Sequence, residues 1–222
     1  MKTFCIIGAM DCEIKTLVKL YSAVTVSDNI YIANYNGKKI VIAKCGVGKV
    51  NAAALTQKII CTYSPEIIIN TGAAGAIDSK VRIGDVIIAE TLSYHDFNPL
   101  ELLDRYPPFS TKFSCDDTLI ALARKSCEIH KYPFKIGVIV SGDCFVSSDS
   151  IKKDIFLRFG ALCTEMEGAS IAHVCILNKV KFAVVRSVSD FADSNAEIDI
   201  NNFEETAALR AAEITDYIIN NA

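Results

Sequence analysis

Short apolar runs alternate with stretches of helical period along the whole chain. Thr3–Ile7 is mostly apolar and ends at Gly8, which predicts a buried strand. From Asp11 to Tyr21, apolar Ile14, Leu17, Val18 and Tyr21 recur at helical spacing, with Asp11 as the expected cap. Ile30–Tyr35 and Lys39–Lys44 flank Asn36-Gly37, a strong hairpin signal. Cys45-Gly46-Val47-Gly48-Lys49 leads into an Ala-rich helix over Val50–Tyr63, punctuated by Pro65. Glu66–Asn70 predicts a strand ending in Thr71-Gly72-Ala73-Ala74-Gly75-Ala76, and Val86–Ala89 predicts another.

Residues 91–114 hold three prolines and several aromatics without a clear period, and read as a long surface excursion. A helix follows over Asp116–His130, with its cap near Ser114 or Cys115. Lys135–Ser141 predicts a strand, and Ser150–Arg158 a helix capped by Asp149. Thr164–Cys175 sets Glu165 and Glu167 at the mouth of an apolar helix. The apolar run Phe182–Val185 ends in Arg186, Ser189 and Asp190, and Phe203–Ile219 closes the chain as an amphipathic helix. This alternation predicts one α/β domain over residues 1–222. The expected architecture is a three-layer helix–sheet–helix sandwich with a mixed central sheet.

Composition narrows the classes. Hydrophobic residues make up 51% of the chain and charged residues 22%, so a large core is expected and disorder is not. A net charge of −3 gives no electrostatic case for nucleic acid or an acidic membrane. The N-terminal apolar run meets Asp11 and Glu13 too early for a signal peptide or a membrane span, so a cytoplasmic protein is expected. The nine cysteines form no C-x-x-C pair and the three histidines are scattered. Reduced thiols packed as small apolar groups are expected, with no metal site.

The candidate chemistry sits just after strands, where open α/β sheets bind ligands. Gly8–Glu13, Thr71–Ala76, Gly142–Val146 and Ser189-Asp190 all fall there. Taken singly, a structural role suffices for each. Glu13 suits a helix start, the Gly-Ala-Ala-Gly run permits close packing, Phe145 suits a core, and Asp190 can cap a turn. Gly46 and Gly48 alone are weak evidence for a dinucleotide. His173 reads as a satisfied core histidine. Together, four strand ends with acids on three of them favour a site.

These residues also carry a family resemblance. Gly8-Ala9-Met10 with Glu13, CGVGKVNAA (Cys45–Ala53), INTGAAG (Ile69–Gly75), VSGDCF (Val140–Phe145), Glu165-Met166-Glu167 and RSVSDFAD (Arg186–Asp193) occur in order. The set resembles the 5′-methylthioadenosine/S-adenosylhomocysteine nucleosidase branch of the purine nucleoside phosphorylase superfamily, over nearly the whole chain. The resemblance implies a nucleoside phosphorylase-like fold and hydrolysis of an adenine N-glycosidic bond, without a cofactor. It implies that Glu13 activates water and that Asp190, supported by Ser189, protonates adenine N7. Glu167 would bind ribose hydroxyls, and Met166 would pack under the sugar. Phe145 would stack on the base, with Val146 backbone groups reading its edge. Gly75 and Arg186 would lie near the ribose and water site, and Val47 and Phe203 would line an apolar tail pocket. A homodimer is implied, in which the region after Tyr94-His95-Asp96 completes the neighbour's pocket. Ala73 departs from the pattern, because many relatives carry a hydroxyl residue there.

The chemistry stands without the name. Breaking a ribose–purine bond develops positive charge on the sugar and negative charge on the base. An acid with a proton affinity raised by burial helps the base leave, and a second carboxylate draws a proton from water. Inverting glycosidases divide the labour in this way. A phosphorylase on the same fold is the nearest rival, with Lys49 and Arg186 as possible phosphate partners. A nucleosidase for a larger, futalosine-like 5′ group is a second rival, and a non-catalytic nucleoside-binding protein a third.

Overall fold

A computed structural model describes residues 1–222. The first half of the chain runs β1 (Thr3–Gly8), α1 (Asp11–Leu20), β2 (Val24–Ser27), β3 (Ile30–Tyr35), β4 (Lys38–Lys44), α2 (Lys49–Tyr63), β5 (Ile67–Ala76) and β6 (Val86–Tyr94). It continues through α3 (Leu102–Arg105), β7 (Phe113–Ser114), α4 (Asp117–His130), β8 (Phe134–Ser141) and α5 (Asp149–Phe159). The last elements are β9 (Cys163–Glu165), α6 (Gly168–Asn178), β10 (Lys181–Asp190) and α7 (Ala196–Asn221).

The sheet is mixed. β1 lies between β4 and β5, parallel to both, with Ile6 opposite Ile42 and Ile69. The hairpin from β3 to β4 turns at Asn36 and Gly37, whose φ values of 48° and 73° suit a tight primed turn. Beyond β5 the sheet curls on itself. β5 pairs with β10, β10 with β6, β6 with β8, β8 with β9, and β9 with β5 again. Five strands thus close a ring, and their ends converge on one rim.

Period-2 alternation inside the strands feeds two cores, as a sheet buried on both faces requires. Ile6, Ile69 and Val185 face α1, α4 and α7 through Ile14, Leu119 and Ile218. Ile7, Ile68 and Val184 face α2 and α6 through Ala52, Ile59 and Ile171. Helices therefore cover both faces, as expected. A smaller cluster seats Ile155 of α5 against Val140 and Ile77.

Several boundaries differ from the sequence reading. β5 does not stop at Asn70 but runs to Ala76, with all ten of its residues buried. Its small residues let β10 pair along it, Arg186 opposite Gly72 and Asp190 opposite Gly75. β6 runs on to Tyr94, so the excursion after it is shorter than expected and holds α3 and β7, with Phe113 fully buried. β2, exposed at every position, was not foreseen. α7 starts at Ala196, ahead of the expected Phe203. The cap of α4 is Asp116, whose carboxylate accepts from the N–H groups of Thr118 and Leu119 at 3.0 and 3.2 Å. Ser148, not Asp149, holds the N-cap position of α5, without a side-chain capping bond. Met10 caps α1, while Asp11 is its first helical residue and pairs with Lys44 at 2.8 Å. All nine cysteines are free thiols. No helix is long and apolar enough to cross a membrane. His173 is half-buried and shares a hydrogen bond with the Tyr94 hydroxyl at 3.1 Å.

Candidate active site

The first turn of α1 delivers Glu13 into the interior, 1% exposed. Its Oε2 accepts from the N–H groups of Ala9 at 2.6 Å and Met10 at 3.1 Å, the reach-back of a helix-capping carboxylate. Its Oε1 accepts from the Ala73 N–H at 3.0 Å and lies 3.6 Å from Arg186 Nη1. Burial raises the proton affinity of Glu13, against the pull of Arg186 and the three N–H groups. Gly72 has no room for a side chain, since a Cβ there would collide with the Glu13 carboxylate.

Asp190 ends β10 and is 2% exposed. Its Oδ2 accepts from the Ser189 hydroxyl and its Oδ1 from the Ala192 N–H, both at 2.8 Å. Burial raises its proton affinity. The two hydrogen bonds oppose the rise, and Asp199 and Asp193 add to it. Gly75 leaves space for this carboxyl, because a Cβ there would stand 2.7 Å from Oδ1.

Glu13 belongs to a charge cluster centred on Arg186. Arg186, 1% exposed, donates from Nη2 to Asn70 Oδ1 at 2.6 Å and to Glu165 Oε2. Its Nη1 donates to the Ala73 carbonyl at 3.3 Å. Burial alone would weaken its hold on a proton, but Glu165, Glu13 and Glu167 reverse that and keep it charged. Glu165 also accepts from the Ser141 hydroxyl and from the N–H groups of Glu167 and Gly168, which opens α6. Glu167 accepts from the Gly48 N–H at 2.9 Å and lies 3.5 Å from Arg186. Burial and then Glu165 push Glu167 up to about 7, against Arg186.

One cavity of about 160 Å³ gathers these groups. Glu13, Gly75, Glu167, Arg186, Ser189 and Asp190 line it, with Phe145, Val146 and Met166. Val47 stands at its wall, and Ala73 contributes a methyl where a hydroxyl was the family expectation. Phe203 is not part of the lining. It is 40% exposed, and Ile200, nearer the start of the same helix, lines the cavity instead. Lys49 is occupied elsewhere, with its Nζ 2.6 Å from Asp96 and 3.6 Å from Asp143. Sequence reasoning missed Asn70, Ser141 and Ile200, and gave Glu165 no role. The first two act through contacts between distant strands. Ile200 lies in a polar stretch that carries no clear helical signal.

The chain matches the phosphorylase superfamily model over residues 3–220. It is 36% identical over 222 residues to the 5′-methylthioadenosine/S-adenosylhomocysteine nucleosidase of Halalkalibacterium halodurans, covering 96% of each chain. This chain belongs to the 5′-methylthioadenosine/S-adenosylhomocysteine nucleosidase family. Among solved members, the Neisseria meningitidis nucleosidase in complex with methylthio-immucillin-A superposes with a TM-score of 0.93 at 33% identity, with each chain fully covered. A futalosine hydrolase of Helicobacter pylori superposes with a TM-score of 0.92 at 29% identity, over 100% of this chain and 98% of that one. Membership of the nucleosidase family fits a site whose one buried guanidinium already serves three carboxylates.

Proposed function

We propose that this chain hydrolyses the N-glycosidic bond of 5′-methylthioadenosine and S-adenosylhomocysteine and releases adenine. One observation carries this reading: Glu13 and Asp190, both buried, line a single cavity whose one lining cation, Arg186, already faces three carboxylates. Asp190, which burial favours in its protonated form, supplies a proton to adenine N7 as the base leaves. Ser189 and Ala192 hold that carboxyl in place. Glu13, which Arg186 and three backbone N–H groups help to ionise, takes a proton from the attacking water. Each such group contributes about 10²–10⁴-fold to the rate. Glu167 takes the ribose hydroxyls, Met166 packs under the sugar, Phe145 stacks on the base, and Val146 backbone groups meet its edge. Val47 and Ile200 receive the 5′ substituent. The surrounding carboxylates favour the oxocarbenium-like sugar.

Water rather than phosphate is the nucleophile. A phosphate needs free cations or a nest of donors. Arg186 is taken up by Glu165, Glu13 and Glu167, and Lys49 by Asp96 and Asp143. In this reading the enzyme works in the cytoplasm, in methionine salvage, as a homodimer. Exposed Tyr106 and Phe109, in the segment after Asp96, support the dimer, and a monomeric mass in sedimentation at micromolar concentration removes it. The likeness to a futalosine hydrolase favours a second reading, a related nucleoside with a larger 5′ group. The deciding experiment is adenine release from a panel of nucleosides in phosphate-free buffer. Release without phosphate from 5′-methylthioadenosine and S-adenosylhomocysteine is expected. Release only on adding phosphate, or only from the larger nucleoside, overturns the first reading.

A further inference from the structure

Asn70 is fully buried in β5 and does not line the cavity. Its amide is oriented by two contacts with other strands. Nδ2 donates to the Ile7 carbonyl of β1 at 2.9 Å, which turns Oδ1 toward β10. There Oδ1 accepts from Arg186 Nη2 at 2.6 Å, and the same Nη2 donates to Glu165. A guanidinium is planar, so two acceptors on Nη2 set where Nη1 lies. Nη1 then faces the Ala73 carbonyl at 3.3 Å and Glu13 Oε1 at 3.6 Å. Arg186 Nε has no partner, so nothing further along the side chain shares this anchoring.

We infer that Asn70 is a positioning residue of the hydrolysis proposed above, holding the Arg186 guanidinium against Glu13. The inference rests on that reading of the site. Without the Asn70 oxygen, Glu165 and Glu167 are the remaining acceptors near Nη2, and they draw the guanidinium toward the start of α6. The charged and titratable groups around Glu13 are Arg186 from β10, Glu167 at the start of α6, Cys45 after β4, and Cys12 of its own helix. Arg186 is the cation among them. Moving it from 3.6 Å to about 5 Å weakens the attraction by about a quarter, or about tenfold in the ionisation of Glu13 at an effective dielectric of ~20.

The test is the pH profile of kcat/KM for adenine release from 5′-methylthioadenosine, in wild type, Asn70→Leu, Arg186→Lys and the double variant. Asn70→Leu is expected to move the acid limb up by about one pH unit, and the rise reports Glu13, because Glu167, toward which the guanidinium moves, shifts the other way. The basic limb reports Asp190, which Arg186 does not touch, and stays in place. A purely structural role lowers the active fraction at every pH and moves neither limb. In the Arg186→Lys background, which lacks the second amino group, Asn70→Leu adds no further shift. Asn70→Ala carries the same readout where Leu prevents folding. If wild type releases no adenine, the proposed function fails. If wild type is active and the acid limb stays put in Asn70→Leu, or moves equally in both backgrounds, the role of Asn70 fails alone.

Discussion

Replacing Gly75 by Ala displaces the catalytic acid without removing it. The new Cβ would stand 2.7 Å from Asp190 Oδ1 and 3.0 Å from Ala192 Cβ. Ordinary contact begins near 3.4 Å, so the carboxyl retreats by about 0.7 Å. The retreat strains the two 2.8 Å hydrogen bonds that fix it, from the Ser189 hydroxyl and the Ala192 N–H. Neither neighbour follows freely: Ser189 is fully buried in β10, and Ala192 sits in a left-handed turn with φ 51°. Loss of one bond costs about 1 kcal/mol in stability. A misplacement of order 1 Å costs about a hundredfold in rate. Gly75→Ala is therefore expected to lower kcat about a hundredfold with little change in KM. Adenine release is measured beside Asp190→Asn and the double variant. Because both lesions strike one group, the double variant should be no slower than Asp190→Asn. Turnover in Gly75→Ala within about threefold of wild type, with Asp190→Asn slowed by about 10²–10⁴-fold, refutes the placement argument.

Two other outcomes follow from the site. Glu167 is raised on folding to about 7. Its contribution to stability is therefore complete below about pH 4.5 and is lost as pH climbs through about 7, a span worth about 3 kcal/mol. Glu167→Gln should flatten the fall in Tm across that window, and melts with equal slopes in both proteins would contradict it. Ile200→Ala should raise KM for S-adenosylhomocysteine about tenfold, since truncating a buried apolar contact costs about 1–3 kcal/mol. Phe203→Ala should leave it within about twofold, and the reverse ranking of these variants would restore Phe203 to the tail pocket.

Much of this was legible in the sequence because the central strands β1, β5 and β10 are buried on both faces. Ile67–Ile69 and Phe182–Val185 cannot be read otherwise, and Asn36-Gly37 marks its turn outright. The failures have physical causes. Thr71–Ala76 has loop composition, yet it continues the strand beyond β1 and pairs with β10 and, at Gly75 and Ala76, with β9. Asp11 has the chemistry of a cap, but it is already the first helical residue of α1, and its carboxylate pairs with Lys44. Ile200 lies in a polar stretch with little apolar periodicity to announce a helix. The acids were visible as acids. The arginine that organises them required Asn70 and Glu165 to meet it from strands far apart in sequence.

The carboxylates around Arg186 outnumber their cation. Fully ionised, Glu13, Glu165, Glu167 and Arg186 would bury a surplus of negative charge, a costly state. The fold offsets it with backbone donors: Ala9, Met10 and Ala73 on Glu13, Gly48 on Glu167, and Gly168 on Glu165. A proton held by Glu167 near neutrality removes part of the rest. The surplus has a use, because it favours a cationic sugar and repels a phosphate anion. Hydrolysis then follows from the sign of the cluster and not from any single residue. Replacing both Glu13 and Glu167 by Gln leaves one carboxylate against one guanidinium and removes the repulsion. In calorimetric titrations, inorganic phosphate should bind that double variant, while the wild type takes up none. If phosphate binds both proteins equally, the charge balance is not what selects water.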